Sequence, residues 1–269
     1  MTQHAQEDIA LTGRQQRERD YYERFSAYKP VGAVTLAAFQ GTETRPWNSY
    51  WFAKQRVCSL LETCGQRLLE FGCGQGADAV GYAHVGFNVD AFDITPANLD
   101  NARNLARHYG VADKIRFAIQ SAEQLDYDDG QFDVVTGTNI LHHCEVQSAV
   151  DECHRVLRRG GVAVFREHVE IPLLEFVRMS PPVRWLWPRT PSLEHHITED
   201  ETNLSNKDIQ YMRGLFSQVD LARFGFFSRL RRIIPTWNRK LAKIDYALFR
   251  ACPWCQSLGM DVVIELHKS

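Results

Sequence analysis

The chain has 269 residues, 44% hydrophobic and 24% charged, which fits one large globular domain and excludes a disordered or fibrous chain. A formal net charge of −2 gives no general attraction to nucleic acid, and no apolar run approaches the roughly 18 residues of a membrane-spanning helix. The polar, mixed-charge start MTQHAQEDIALTGRQQRERD does not suit a secretory signal peptide. The seven cysteines are scattered and odd in number, which fits reduced thiols and a cytoplasmic setting.

In chain order, a charged helix is expected over about Gln15–Ser26, with Tyr21, Tyr22 and Phe25 on an aromatic face. A second helix, about Trp47–Thr63, carries Trp47, Tyr50, Trp51, Val57, Leu60 and Leu61 at three- and four-residue spacings. From Arg67 the chain alternates short apolar runs with helical patterns, the signature of parallel βα units. Strands are expected at Arg67–Phe71, Asn88–Phe92 (ending in Asp93), Ile115–Ile119, Phe132–Thr136 and Val162–Arg166. Helices fall between them, at about Ala77–His84, Pro96–His108 and Val146–Leu157. Thr95 is placed to cap the second of these helices, and Pro96 suits its first turn. Arg159-Gly160-Gly161 reads as the turn into the fifth strand.

From Glu167 to about Asn203 prolines, tryptophans and a histidine pair interrupt any period. An insertion is expected there, then a helix at about Lys207–Phe216 and a strand at about Val219–Phe227. A basic helical stretch follows, and a last strand at Asp261–Leu266 closes the chain. Between Leu221 and Arg250 eight basic residues face only Asp245, a local +7, interleaved with Phe224, Phe226, Phe227, Trp237 and Phe249. Such a stretch can rest on an anionic membrane surface or guide an acidic, apolar substrate; it can also be a solvated face over core aromatics. Cys252-Pro-Trp-Cys255 has the spacing of redox and zinc sites, but it opens no thioredoxin-like helix and has no second ligand pair. A structural or incidental pair is the expectation, with a labile disulfide as the alternative.

Leu68–Ala77, LLEFGCGQGA, organises the rest. A strand runs into Gly72, Gly74 and Gly76, and a helix opens just beyond. Glycine suits a loop that takes unusual φ values and lets a ligand approach the backbone, and the free N–H groups of the helix start would face that ligand. The spacing G-x-G-x-G, with Glu70 two residues upstream, differs from the dinucleotide pattern G-x-G-x-x-G, and no G-K-S/T ending marks an ATP loop. About twenty residues on, Asp93 ends the second strand, where a carboxylate can accept hydrogen bonds from a ribose diol.

The segment E-F-G-C-G-Q-G resembles the cofactor loop of the class I S-adenosylmethionine-dependent methyltransferases, D/E-x-G-x-G-x-G. Gln120-Ser121-Ala122-Glu123 stands where many relatives read G-D-A-E, with Ser121 in place of the adenine-binding Asp. Asn139-Ile140-Leu141-His142-His143 resembles the L-H-H segment of the ubiquinone- and menaquinone-type methyltransferases. Glu152-Cys153-His154-Arg155-Val156-Leu157-Arg158-Arg159-Gly160-Gly161 resembles their E-x-x-R-V-L-x-P-G-G, with Arg159 replacing the proline. The resemblance covers about Arg67–Arg166. It implies an α/β, Rossmann-like seven-stranded sheet with helices on both faces and an antiparallel last strand. Residues 1–64 are then an N-terminal helical cap and 65–269 the cofactor domain, with a lid at about 168–205 and a basic helical excursion at about 228–256.

The resemblance implies S-adenosyl-L-methionine as cofactor, S-adenosyl-L-homocysteine as its product and a small, partly apolar or aromatic acceptor. It implies cofactor contacts at Glu70, Gly72, Cys73, Gly74, Gly76, Asp93, Ile94, Ser121, Ala122 and Asn139. The acceptor pocket is expected from Tyr22, Trp47, Trp185, His195 and His196, with Phe176 and Trp187 adding apolar surface. Methyl transfer needs alignment and, for a hydroxyl or protonated amine, a general base, and histidine suits that task near neutral pH. His142, His143 and His168 leave strands at the edge where open α/β sheets bind ligands. They are the candidate catalytic residues, and O-methylation is slightly favoured over N- or C-methylation. Asp126, Asp128 and Asp129 read as a solvated turn, so no metal is expected. No N-P-P-Y/F follows the fourth strand, so base methylation of nucleic acid is not expected. Two other readings stay open: a cofactor-fold enzyme running another reaction such as a cyclisation, and a non-catalytic cofactor-binding regulatory subunit.

Overall fold

A computed structural model describes residues 11–28, 33–170, 203–228 and 235–269. Seven strands form one sheet: β1 (Arg67–Phe71), β2 (Asn88–Asp93), β3 (Ile115–Ile119), β4 (Phe132–Thr138), β5 (Leu157–His168), β6 (Gln218–Phe224) and β7 (Asp261–His267). Their spatial order is β3-β2-β1-β4-β5-β7-β6. β7 runs antiparallel to both β5 and β6, while the pairings among β1 to β5 are parallel. The α/β architecture and the antiparallel last strand are as the sequence implies. The chain reverses between β1 and β4, so neighbouring loops diverge there and open a crevice at the C-terminal edge.

Alternation along each strand divides two cores. Leu69, Phe71, Val135 and Phe165 face α6 (Val146–Val156) and α7 (Asn206–Leu215). Leu68, Val134 and Val164 face α3 (Ser49–Ser59), α4 (Ala77–Val85) and α5 (Pro96–His108). Successive side chains point to opposite faces of a strand, so the adjacent buried leucines 68 and 69 serve different cores. Truncating either to alanine is expected to cost about 2–5 kcal/mol.

Several boundaries differ from expectation for physical reasons. The helix expected from Trp47 begins at Ser49, because the Asn48 side chain accepts from Trp51 N at 3.1 Å and caps it. It ends at Ser59 instead of Thr63. A short α2 (Ala37–Gln40) precedes it, ended by Gly41 at φ 67°. Thr95 stands at the N-cap of α5 without capping through its side chain; Asp93 Oδ1 takes the Thr95 N–H instead, at 2.8 Å. β5 starts at Leu157, five residues before the expected Val162, with a register shift opposite Phe132 and Val134 that absorbs the glycines. β6 ends at Phe224, before the left-handed Gly225 (φ 80°).

α1 (Gly13–Tyr28) lies over the sheet edge, whereas α3 is packed into the second core through Trp51, Ala53 and Val57. In the basic stretch, α8 (Asn238–Ala251) buries Leu241, Asp245 and Phe249 and leaves Trp237 and Ile244 exposed. Among the described residues no helix is long and apolar enough to cross a membrane. Cys252 and Cys255 are free thiols. Of the expected lid, residues 171–202 lie outside the described part, and with them Phe176, Trp185, Trp187, His195 and His196.

Candidate active site

The glycine loop leaves β1 and enters α4. Gly72, Gly74 and Gly76 take φ of 59°, 51° and 81°, all in the left-handed region that favours glycine. A Cβ on Gly72 would stand 2.4 Å from the Ile140 side chain, whereas at Gly74 nothing lies within 4 Å. Gly72 is therefore needed for packing, and Gly74 presents bare backbone to open space.

Glu70 is buried beneath the loop and accepts from the Ala79 N–H. It thereby holds the first turn of α4, where Gly76 offers no side-chain cap. Burial pushes its carboxyl well above the ordinary range; nearby Asp78 and Asp93 add to this, and Lys54 opposes it. Cys73 is also buried, its N–H donating to Phe92 O at 2.9 Å. Both residues shape the loop from below and neither lines the cleft above it.

That cleft has about 740 Å3 of empty space, open to solvent, and gathers the C-terminal ends of four strands. Gly72 and Gly74 line it from β1, Asp93 and Ile94 from β2, Ser121 and Ala122 from beyond β3, and Asn139 and His143 from beyond β4. Asp93 Oδ2 accepts from Gly74 N at 2.9 Å, and Oδ1 from Thr95 N at 2.8 Å and Asn98 Nδ2 at 3.2 Å. A carboxylate has about four acceptor sites, so Asp93 binds the loop and keeps acceptor capacity toward the cleft. Burial raises its pKa, opposed by these same donors.

α1 closes the cleft with Arg14, Gln15, Glu18 and Tyr22. Gln15 Nε2 donates to Ser121 Oγ at 2.8 Å and to Glu123 Oε2 at 3.0 Å. Ser121 Oγ also accepts from Glu123 N at 3.2 Å. The hydroxyl expected to accept from a ligand is thus already accepting twice, and its own O–H remains as a donor. Arg14 pairs with Glu123 and donates to the His143 carbonyl.

His143 lines the cleft, its Nδ1 lying 2.7 Å from Glu18 Oε1 of α1. Tyr22 meets the same imidazole edge-on at 5.8 Å. His142 lies behind, its ring 4.1 Å from that of His143 and its Nδ1 2.7 Å from Glu167 Oε2. Glu167 Oε1 accepts from Ile140 N at 2.7 Å and Leu141 N at 2.8 Å. Burial alone would raise the Glu167 pKa; His142 and the two backbone donors outweigh it and hold the carboxyl below the ordinary range.

Asn139 takes φ 55°, a conformation that asparagine tolerates better than most residues. Its side chain donates to Tyr50 Oη at 3.0 Å and accepts from Arg166. The buried Arg166 is neutralised by Asp261 Oδ1 at 2.8 Å and lies 4.2 Å from the Tyr50 ring. His168 Nδ1 stands 2.9 Å from the same Asp261 oxygen.

Of the expected site residues, Gly72, Gly74, Asp93, Ile94, Ser121, Ala122, Asn139, His143 and Tyr22 line one cleft. Glu70, Cys73, Gly76 and His142 stand behind it, and His168 belongs to the Asp261 cluster. Trp47 lines a different cleft, between β6 and α8. Glu18 and Glu167 were not singled out from sequence. Gln15, Glu18 and Tyr22 do share a helical face at three- and four-residue spacing, and Glu167 is an acid at a strand end beside an expected base. Among the described residues no group of three or more His, Cys, Asp or Glu could hold a metal ion.

Residues 69–165 match the family model described as "Methyltransferase domain". Sarcosine/dimethylglycine N-methyltransferase of Aphanothece halophytica is 30% identical over 162 residues, 56% of this chain and 58% of that protein. A ubiquinone biosynthesis O-methyltransferase of Alkalilimnicola ehrlichii is 37% identical over 102 residues, 38% of this chain and 41% of that one. The chain thus spans about half the length of such curated relatives. Geranyl diphosphate C-methyltransferase from Streptomyces coelicolor A3(2), solved with Mg2+, geranyl diphosphate and S-adenosyl-L-homocysteine, superposes with a TM-score of 0.59. It is 16% identical over 97% of this chain and 100% of that one, a likeness of fold. Residues 69–165 thus match a methyltransferase domain, and the strand order and the left-handed glycine loop agree with that match.

Proposed function

We propose that the protein transfers a methyl group from S-adenosylmethionine to an oxygen of a small, partly apolar or aromatic acceptor. The observation that carries this reading is the convergence of bare loop backbone at Gly74, the Asp93 carboxylate and the His143 imidazole on one cleft. The residues fit the cofactor: a Cβ-free approach at Gly74, an acid with acceptor capacity at the end of β2, and a serine donor at 121. When bound, the cofactor supplies an activated methyl group together with its leaving group.

The chain's own work is to align the acceptor and hold a proton. Alignment of this kind is worth roughly 7–11 kcal/mol of barrier. His143 is the residue we assign as general base, because it faces the cleft and a carboxylate orients its ring from α1. His142, fixed by Glu167, packs against His143 and limits its movement. The proteins named above are an N-, an O- and a C-methyltransferase, so the choice of oxygen rests on the availability of this base.

Calorimetric titration of S-adenosylmethionine and S-adenosylhomocysteine into wild type and Asp93→Ala tests the cofactor site. Micromolar binding that is lost in the variant is expected; absence of binding to folded wild type would overturn the reading. Conversion of the cofactor to S-adenosylhomocysteine in the presence of a small-molecule extract then tests transfer. Product formation without cofactor turnover would indicate a different reaction on the same fold.

A further inference from the structure

A second cleft, with about 620 Å3 of empty space, opens between α3, β6 and α8. Its walls carry Trp47, Phe52, Phe224, Tyr246 and Phe249. Phe52 and Phe224 pack with ring centres 5.4 Å apart, and Lys243 Nζ covers the Trp47 ring at 4.6 Å. None of these residues takes part in the cleft at the glycine loop. The C-terminal end of β6 brings the cleft to the same sheet edge, since Phe224 pairs with Asp261 and Asp261 with His168.

The charges around this cleft do not balance. Two guanidiniums line it, Arg223 and Arg250. Arg223 is half-buried, and the hydrogen bond it makes is a long one to Gly259 O, at 3.4 Å. Arg250 lies 5.7 Å from the Tyr246 ring. Among the described residues neither is in an ion pair. The single acid lining the cleft, Asp245, is committed elsewhere: it accepts from the N–H groups of Phe226, Phe227 and Ser228 at 3.0, 2.7 and 2.9 Å. It therefore holds the chain after β6 and leaves the guanidiniums without a counter-charge among the described residues. A half-buried cation beside apolar walls is electrostatically incomplete, because burial weakens its hydration without supplying a counter-charge.

We propose that this cleft binds an amphipathic anion, a carboxylate or phosphate on an apolar chain or ring system. The aromatic walls take the apolar body, and Arg223 and Arg250 take the anionic head, a geometry that guanidinium serves well. The inference goes beyond the methyl-transfer reading and does not depend on it, since binding here requires neither cofactor nor catalysis.

The test is calorimetric titration of dodecanoate and dodecyl phosphate, below their micelle-forming concentrations, into the full chain without cofactor. Saturable one-to-one binding is expected, weakened at least about tenfold in Arg223→Gln with Arg250→Gln, as for loss of a charge-assisted hydrogen bond. Arg239→Gln with Lys240→Gln, an equal loss of charge on the exposed start of α8, should leave the affinity unchanged. Ala242→Trp keeps every charge but fills the cleft, and should abolish binding while leaving the circular dichroism spectrum intact. Equal binding of dodecyltrimethylammonium would overturn the proposal. So would an affinity that survives Ala242→Trp, or binding to phosphatidylglycerol vesicles with none to monomeric dodecanoate.

Discussion

On either side of β4, the C-terminal ends of β1 and β5 each bury a glutamate, and the two carboxyls are shifted in opposite directions. Glu70, under the glycine loop at the end of β1, is pushed well above the ordinary carboxylate range. Glu167, at the end of β5, is held below it. Burial is equally severe at both, so it does not decide the outcome. The difference lies in the donors: Glu167 receives two backbone N–H groups and His142, whereas Glu70 receives Ala79 N–H and faces Asp78 and Asp93. A buried acid becomes a fixed negative charge only where enough donors converge on it. At β5 that charge orients an imidazole, and at β1 an acid whose ionisation is disfavoured by burial supports a loop.

The comparison can be sharpened first by rate. His143→Ala should lower kcat by about a hundred- to ten-thousand-fold, the usual worth of a positioned general base, with affinity for S-adenosylhomocysteine little changed. Asp93→Ala should do the reverse, removing cofactor binding. If both variants lose the same parameter, the division into a binding half and a chemical half is broken.

Stability provides the next test. Glu167→Ala strands two buried N–H groups and the His142 ring, and should cost about 3 kcal/mol or more in urea unfolding. Because the folded pKa of Glu167 is lowered, its contribution is present above the ordinary carboxylate range and is lost as pH falls through the lowered value. Glu70→Gln should behave oppositely. The folded pKa of Glu70 is raised, so the native state of the wild type loses stability as pH rises from the ordinary carboxylate range to the raised value. The melting temperature of Glu70→Gln relative to wild type should therefore climb between acid and neutral pH. A flat difference would show that Glu70 ionises freely.

The smallest effect is expected at α1. Gln15→Ala removes the hydrogen bonds to Ser121 and Glu123 and should cost about 1 kcal/mol of local stability. Faster amide hydrogen exchange within residues 13–28, with β1 to β4 unchanged, would show it. Unchanged exchange would mean that Arg14 and Glu18 hold the helix without Gln15.

The strands of the first half, the loop Gly72–Gly76 and Asp93 were legible from the sequence because their causes are local. Period-two burial, left-handed glycines and an acid ending a strand are all written within a few residues of one another. Trp47 shows the limit of that logic, since an aromatic before a helix carries no mark of which cleft it will line. The same holds for Ser121, whose hydroxyl oxygen accepts from a glutamine 106 residues earlier in the chain. Glu18 beside His143, Glu167 beside His142 and Arg166 on Asp261 are likewise meetings of separate segments. The sequence by itself determined the strands, the glycine loop and the acid at its side, because steric and periodic constraints act along the chain. Only the tertiary structure decided which carboxylate each histidine meets and which cations lack an ion pair among the described residues, because those depend on how distant segments pack.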